Sequence, residues 1–196
     1  VTMSAGISEI NTYGNKSGDL QANPTTVNGL LQVNFTKGCP IQSIQTQLVG
    51  EYNLPNILAA VRIGLYFGVP AEKIKSAIEN YSPTNSRSQL IKWNENDIIL
   101  DAYNANPSSM KLAIENFANL NVQNKIVCIG AMKELGTTSI AEHQQLIQLL
   151  ASSQWEQVVL VGGDFEKCSH NYHYFENSLE AKEWFQKQQF SNKHIL

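Results

Sequence analysis

No apolar run in this 196-residue chain reaches the roughly 18 residues that a membrane-crossing helix needs. Residues 1–18 also lack the charged start and apolar centre of a secretory signal. Charge is scarce, at 16% of residues and a net −3, and no run of Lys and Arg forms a basic stripe. A broad phosphate-neutralising face is therefore excluded, and no nucleic acid is expected as a partner. Cysteine is sparse as well. Cys39, Cys128 and Cys168 are odd in number and far apart, which fits a reducing cytoplasm and argues against a disulfide framework. The phosphate loop Gly-x-x-x-x-Gly-Lys-Ser/Thr does not occur, and neither does an internal repeat or a low-complexity segment.

What is present suits one or two packed cores: 42% of residues are hydrophobic. The patterning changes at residues 81–88, where Ser-Pro-Thr-Asn-Ser-Arg-Ser supplies the turn residues of a linker, so a domain boundary is placed between residues 1–82 and 83–196. Before it, residues 8–13, 30–35 and 44–49 read as strands joined by polar turns. Two helices follow. The first starts near Pro55 with Ile57, Leu58, Val61 and Leu65 inward, and the second covers residues 71–80 with Ile74, Ala77 and Ile78 inward.

After the boundary, apolar strands and amphipathic helices alternate: strands at 98–101, 125–130, 158–163 and 194–196, helices at 107–120, 140–151 and 179–187. Strands so short and apolar must be covered on both faces, which predicts a doubly wound α/β domain with right-handed crossovers. The whole chain is thus expected to be α/β, with mixed strands and two helices first and a Rossmann-like domain second.

Within that pattern residues 101–110, Asp-Ala-Tyr-Asn-Ala-Asn-Pro-Ser-Ser-Met, carry the densest chemistry. Asp101 falls at the carboxyl end of a buried strand, where open α/β sheets bind ligands. Asn106 is positioned as the N-cap of a helix that Pro107 opens, with Met110, Ala113, Ile114 and Phe117 on one face. The N–H groups at that helix start favour an anion, and the Asp101 carboxylate could accept hydrogen bonds from a sugar diol or sit near a metal. The residues alone leave open a blander reading, in which one carboxylate and two asparagines merely shape a turn.

The stretch 101–110 resembles the signature that opens the C-terminal domain in one branch of the Mur ligase family, the branch that joins D-alanyl-D-alanine to a UDP-N-acetylmuramoyl-tripeptide. Two further blocks agree in order and spacing. Residues 48–60 (LVGEYNLPNILAA) are similar to the family's Gly-x-His-Asn-x-x-Asn-x-x-Ala-Ala helix start, and residues 130–143 (GAMKELGTTSIAEH) to its Gly-Asp-Met-x-Glu-Leu-Gly…His segment. Tyr52 stands where the family has histidine, and Ala131 where it has aspartate.

The resemblance implies an ATP-dependent amide ligase of peptidoglycan precursor synthesis, working through an acyl phosphate as a cytoplasmic monomer. It implies that residues 1–82 are the rear of a central ATP-binding domain. Residues 83–196 would be the C-terminal domain, cut short at its end. The chain is then expected to be a fragment, inactive alone, with the phosphate loop and the Mg2+ ligands upstream and no catalytic side chain of its own. By the same carry-over Asn53 and Asn56 would lie near the adenine, Asp101 would hold the ribose hydroxyls, and Arg87 would meet a phosphate. Tyr103, Asn104 and Asn106 would line the nucleotide or dipeptide side of the cleft. For Asn53 and Asn56 helix capping is the bland alternative; for Arg87 it is an ordinary surface position.

The remaining polar groups carry weaker signals. Glu134 reads as an exposed acid near a turn and His143 as a hydrogen-bonded, partly buried residue rather than an acid–base pair. Cys168, His170 and His173 resemble a metal cluster in composition only, and Gly162-Gly163-Asp164 reads as a tight turn rather than a phosphate cradle. Rival classes are a stand-alone adenine-nucleotide-binding module, another ligase of the superfamily such as a folylpolyglutamate synthase, and an interaction domain that kept the fold without the site.

Overall fold

The computed structural model describes residues 6–84 and 86–196, which divide into two compact units on either side of the Ser82–Pro83 bond. Residues 1–5 of the expected first domain and Asn85 of the expected linker lie outside the described residues.

The first unit contains β1 (Tyr13–Gly14), β2 (Leu20–Val27), β3 (Leu30–Lys37), β4 (Ser43–Gln45), α1 (Leu54–Tyr66) and α2 (Ala71–Glu79). Its strands form one sheet in the order β1-β2-β3-β4, with β1 parallel to β2 and the other pairs antiparallel. The β2–β3 turn is made by Asn28 (φ 51°) and Gly29 (φ 81°), and two left-handed residues give the twist that a two-residue hairpin requires. One apolar cluster unites sheet and helices: Leu20, Leu31, Val33 and Ile44 from the strands meet Ile57, Leu58 and Val61 of α1 and Ile74 of α2. Gly64 lets the helices approach closely, since a Cβ there would come within 2.9 Å of the Ile74 side chain.

Several expectations are corrected in this unit. Residues 8–13 are not a strand apart from Tyr13, and the expected strand 44–49 is reduced to Ser43–Gln45. β2 was not expected at all. Pro24 sits in its middle and polar residues flank it, yet β1 pairs only with Leu20 and Gln21, so Pro24 has a sheet neighbour on one side only and its missing N–H is tolerated. Ala77, expected inward, is exposed, whereas Ile74 and Ile78 pack as expected.

The second unit contains β5 (Gln89–Trp93), β6 (Asn96–Leu100), α3 (Pro107–Asn119), β7 (Lys125–Gly130), α4 (Ser139–Ala151), β8 (Gln157–Val161), β9 (His173–Phe175), α5 (Ser178–Lys187) and β10 (His194–Ile195). The six strands run in the order β5-β6-β10-β7-β8-β9, and only β5 is antiparallel to its neighbour. The chain therefore passes from β6 through α3 to β7 and leaves a gap that β10 fills at the end. That gap is a topological switch point, the place where α/β sheets open a crevice beyond their strand ends. Ile114 and Phe117 of α3, Leu146, Ile147 and Leu150 of α4, Ile126, Val127 and Ile129 of β7, and Val158, Val159 and Leu160 of β8 are all buried. The Phe117 ring stacks on Trp155 at 5.8 Å, and the Trp155 indole N–H donates to the Leu150 carbonyl at 2.8 Å.

The doubly wound α/β domain is as expected, with two strands added. β5 and β9 lie at the two edges of the sheet, where half-exposed residues dilute the apolar signal. Among the described residues no helix is long and apolar enough to cross a membrane.

Candidate functional site

The carboxyl ends of β6, β7 and β10 surround a cavity of about 600 Å³ lined by Asp101, Tyr103, Asn104, Met110, Gly130 and Lys133, among others. Its position follows from the strand order. Apolar residues such as Ile99 and Ile129 make the floor, and the polar groups stand where the strands run out.

Asp101 directly follows β6, and its Oδ1 accepts a hydrogen bond from the Ser88 N–H at 3.2 Å. The β5–β6 hairpin causes that meeting. Its last ladder pair is Gln89 with Leu100, so one further step of the same register sets Ser88 opposite Asp101. A second bond, from the Ala102 N–H to the Ser86 carbonyl at 2.7 Å, continues the pairing past the strand ends. Ser86 (φ 57°) and Ser88 (φ 49°) are both left-handed, which turns the residue between them, Arg87, out of the hairpin line. The Arg87 guanidinium lies over the Tyr103 ring, 3.9 Å from its centre. The structure thus brings Arg87, Ser88, Asp101 and Tyr103 together.

Asn104 and Asn106 serve the backbone around this group. The Asn104 Oδ1 accepts from the Ala105 N–H at 2.9 Å, and the Asn106 Oδ1 accepts from the Ser109 N–H at 3.0 Å, capping α3 as its extended backbone and the following Pro107 predict. Cys128 lies in the cavity lining, and burial pushes its thiol up to about 12, so it stays protonated and unreactive near neutrality.

Asn53 and Asn56 belong to the first unit. Asn53 is buried, and its Nδ2 donates to the Val49 carbonyl at 2.9 Å; the Nδ2 of the exposed Asn56 donates to the Asn53 Oδ1 at 3.2 Å. Neither bond is a side-chain cap of α1. The pair instead forms a short amide relay tied to the chain entering the helix. Gly50 (φ 87°) leaves the space that the Tyr52 ring occupies, so Tyr52, in the place of the resembled histidine, packs back over its own turn.

The loop after β7 is held from two sides. The Ala131 N–H donates to the Val161 carbonyl at 2.9 Å, and the Ala131 methyl fills the place that a side chain on Gly163 (φ 53°) would need. His143 is fully buried: its Nε2 accepts from the Met132 N–H at 3.0 Å while Nδ1 donates to the Ser139 carbonyl at 2.7 Å, and its ring meets Phe165 edge to face at 4.6 Å. Both nitrogens are thereby committed to one tautomer; the hydrogen bonding is as expected, while the burial is complete and not partial. Glu134 is exposed with a left-handed backbone (φ 63°). Gly162 (φ 75°) and Gly163 make a tight turn, as expected.

Cys168, His170 and His173 find separate partners. The Cys168 thiol donates to the Asp164 carbonyl at 3.3 Å, His170 Nε2 bonds the Phe165 carbonyl at 3.2 Å, and His173 lies 4.7 Å from the Trp184 ring. The Lys167 ammonium bonds Asp164 at 2.7 Å and lowers that carboxyl, and the two groups make an exposed pair. Among the described residues no group of three or more His, Cys, Asp or Glu could hold a metal ion.

Two residues of the site went unforeseen in the sequence. Ser88 meets Asp101 only through the hairpin register, and Lys133, at the cavity rim, occupies the unspecified position of the Gly-Asp-Met-x-Glu-Leu-Gly block.

Known proteins resemble this chain in sequence and in fold. Residues 86–189 match the family described as Mur ligase, glutamate ligase domain. The UDP-N-acetylmuramoyl-tripeptide--D-alanyl-D-alanine ligase of Treponema pallidum is 34% identical over 122 residues, covering 62% of this chain and 26% of that protein. A crystal structure of MurF from Acinetobacter baumannii superposes with a TM-score of 0.78 at 26% identity, over 96% of this chain and 43% of the other. MurF ligase from Thermotoga maritima, solved in complex with ADP, shares the fold with a TM-score of 0.79 at 18% identity, over 95% of this chain and 44% of that one. The chain therefore spans about a quarter of that curated relative and less than half of those solved structures. The signature after β6, the strand order with its switch point and the match over residues 86–189 agree, and the chain belongs to the Mur ligase family.

Proposed function

We propose that this chain is the nucleotide- and dipeptide-facing part of an ATP-dependent cytoplasmic ligase that joins D-alanyl-D-alanine to a UDP-N-acetylmuramoyl-tripeptide in peptidoglycan precursor synthesis. The observation that carries the reading is the strand-end carboxylate Asp101 at the mouth of the switch-point cavity, with Arg87 stacked beside it on Tyr103. A carboxylate accepts hydrogen bonds from both hydroxyls of a ribose, and a guanidinium stays charged and can donate to two phosphate oxygens at once.

In this scheme Asp101 orients the ribose of ATP and Arg87 neutralises a phosphate. Tyr103, Asn104 and Asn106 line the nucleotide or dipeptide side, and the α3 start adds partial positive charge. ATP supplies the phosphoryl group that activates the tripeptide carboxylate as an acyl phosphate. These residues contribute positioning and charge neutralisation, which dominate phosphoryl transfer. The roles are assigned without Mg2+, whose ligands we place outside this chain. The working unit is a monomer, and the chain alone turns over no ATP.

A chimera tests the proposal. This chain replaces the matching segment of the Acinetobacter baumannii MurF, and ADP release is measured with and without D-alanyl-D-alanine. The expected result is release that depends on the dipeptide and falls at least tenfold with Asp101→Ala, the loss of a charged hydrogen-bond acceptor being worth about 1.5–3 kcal/mol. A folded chimera whose turnover ignores Asp101, or one that prefers glutamate to the dipeptide, would sink it.

A further inference from the structure

The residues on either side of Arg87 hold an unfavourable backbone shape. Ser86 (φ 57°) and Ser88 (φ 49°) are left-handed without being glycine or asparagine, a conformation that side-chain-bearing residues keep only where their surroundings impose it. Two hydrogen bonds impose it here, Ala102 N–H to the Ser86 carbonyl at 2.7 Å and Ser88 N–H to the Asp101 carboxylate at 3.2 Å. Between these anchors the Arg87 side chain is exposed, and a free arginine would sample many rotamers. It lies instead over the Tyr103 ring, 3.9 Å from its centre, and Tyr103 is 62% exposed and so adds little to the core.

We propose that Tyr103 is a positioning residue: its ring, together with the two left-handed serines, holds the Arg87 guanidinium ready on the strand end that carries Asp101, so that a nucleotide's phosphate and ribose meet one preorganised unit. The inference rests on the nucleotide reading given above and adds the device that aims its phosphate-binding cation. Preorganisation improves affinity by removing the ordering cost from the binding step. A cation–aromatic contact at an exposed site supports roughly a two- to fivefold effect. That gain should fall on phosphate-bearing ligands alone, since adenosine has nothing for Arg87 to hold.

The test is calorimetry of the 196-residue chain with ADP and with adenosine. The informative quantity is the ratio of the two affinities. Tyr103→Leu should lower the preference for ADP about two- to fivefold, Tyr103→Phe should restore it, and Ser88→Pro, which removes the N–H and cannot adopt a positive φ, should lower it as Tyr103→Leu does. Asp101→Asn, which keeps a carbonyl oxygen for the Ser88 N–H, should weaken both ligands and leave the ratio unchanged. An ADP preference equal in wild type and Tyr103→Leu overturns the positioning role while leaving nucleotide binding intact. If the wild type binds neither ligand, the nucleotide reading fails, and NMR then decides the clasp itself. Arg87 Hδ signals shifted upfield by the Tyr103 ring and returned to ordinary values in Tyr103→Leu support it; unshifted signals in the wild type overturn it.

Discussion

The two units differ in what their helices leave outside. In the second unit α3 and α4 turn Lys111, Glu115, Glu142 and Gln145 to the groove and solvent around them, and each leaves a single large apolar residue under half exposed, Leu112 (44%) and Ile140 (47%). In the first unit α1 buries Leu54, Ile57, Leu58 and Val61, yet Ile63 (58% exposed), Tyr66 and the adjoining Phe67 (75% exposed) stand on its other side. All three helices fold by the same rule of core burial. The lesson is that apolar content and contribution to stability separate in α1, where position, not hydrophobicity, decides what a side chain is worth.

The largest effects should come from the two cores. Leu58→Ala in the first unit should cost about 2–5 kcal/mol and Phe165→Ala in the second about 3–5 kcal/mol, because each leaves a cavity in a fully buried place. Urea unfolding followed separately through each unit would show whether each loss stays in its own core. If Leu58→Ala shifts both transitions equally, the units unfold as one body and the comparison collapses.

A middle-sized effect is expected at His143. Replacing it with alanine removes the partner of the Met132 N–H and should cost about 1–3 kcal/mol, confined to the second unit. Amide exchange at Met132 would sharpen the point, since it should accelerate in the variant; unchanged protection would mean the loop after β7 is held by other contacts. The smallest effect belongs to the exposed side of α1. Phe67→Ser should change stability by less than about 0.5 kcal/mol, and a loss comparable with Leu58→Ala would contradict the separation drawn above.

Much of the site was legible because it is local. Asn106, Pro107 and the apolar spacing of α3 form a helix-start signal within a few positions, and the apolar run before Asp101 marks a strand end. What escaped is what depends on pairing across the sequence. β2 was hidden by Pro24, although the Asn28-Gly29 turn that follows is a strong hairpin signal. β5 was hidden by its exposed Leu90 and Trp93. Missing β5 also concealed the meeting of Ser88 with Asp101, since thirteen positions separate them and only the hairpin register relates them. β9 escaped because it has only three residues and follows the polar stretch of Ser169, His170 and Asn171. The amide relay of Asn53 and Asn56 was readable only as two asparagines near a helix start; that their bonds run to Val49 and to each other depends on the turn that Gly50 permits.

The central claim is that Asp101 is a nucleotide-ribose acceptor and not a residue that only shapes the hairpin end. Calorimetric titration of ADP into the wild-type chain and into Asp101→Asn, which keeps the shape and a carbonyl oxygen for the Ser88 N–H but removes the charge, tests it most directly. The account predicts an affinity loss of about tenfold or more with the fold intact; ADP bound equally well by both proteins would contradict it.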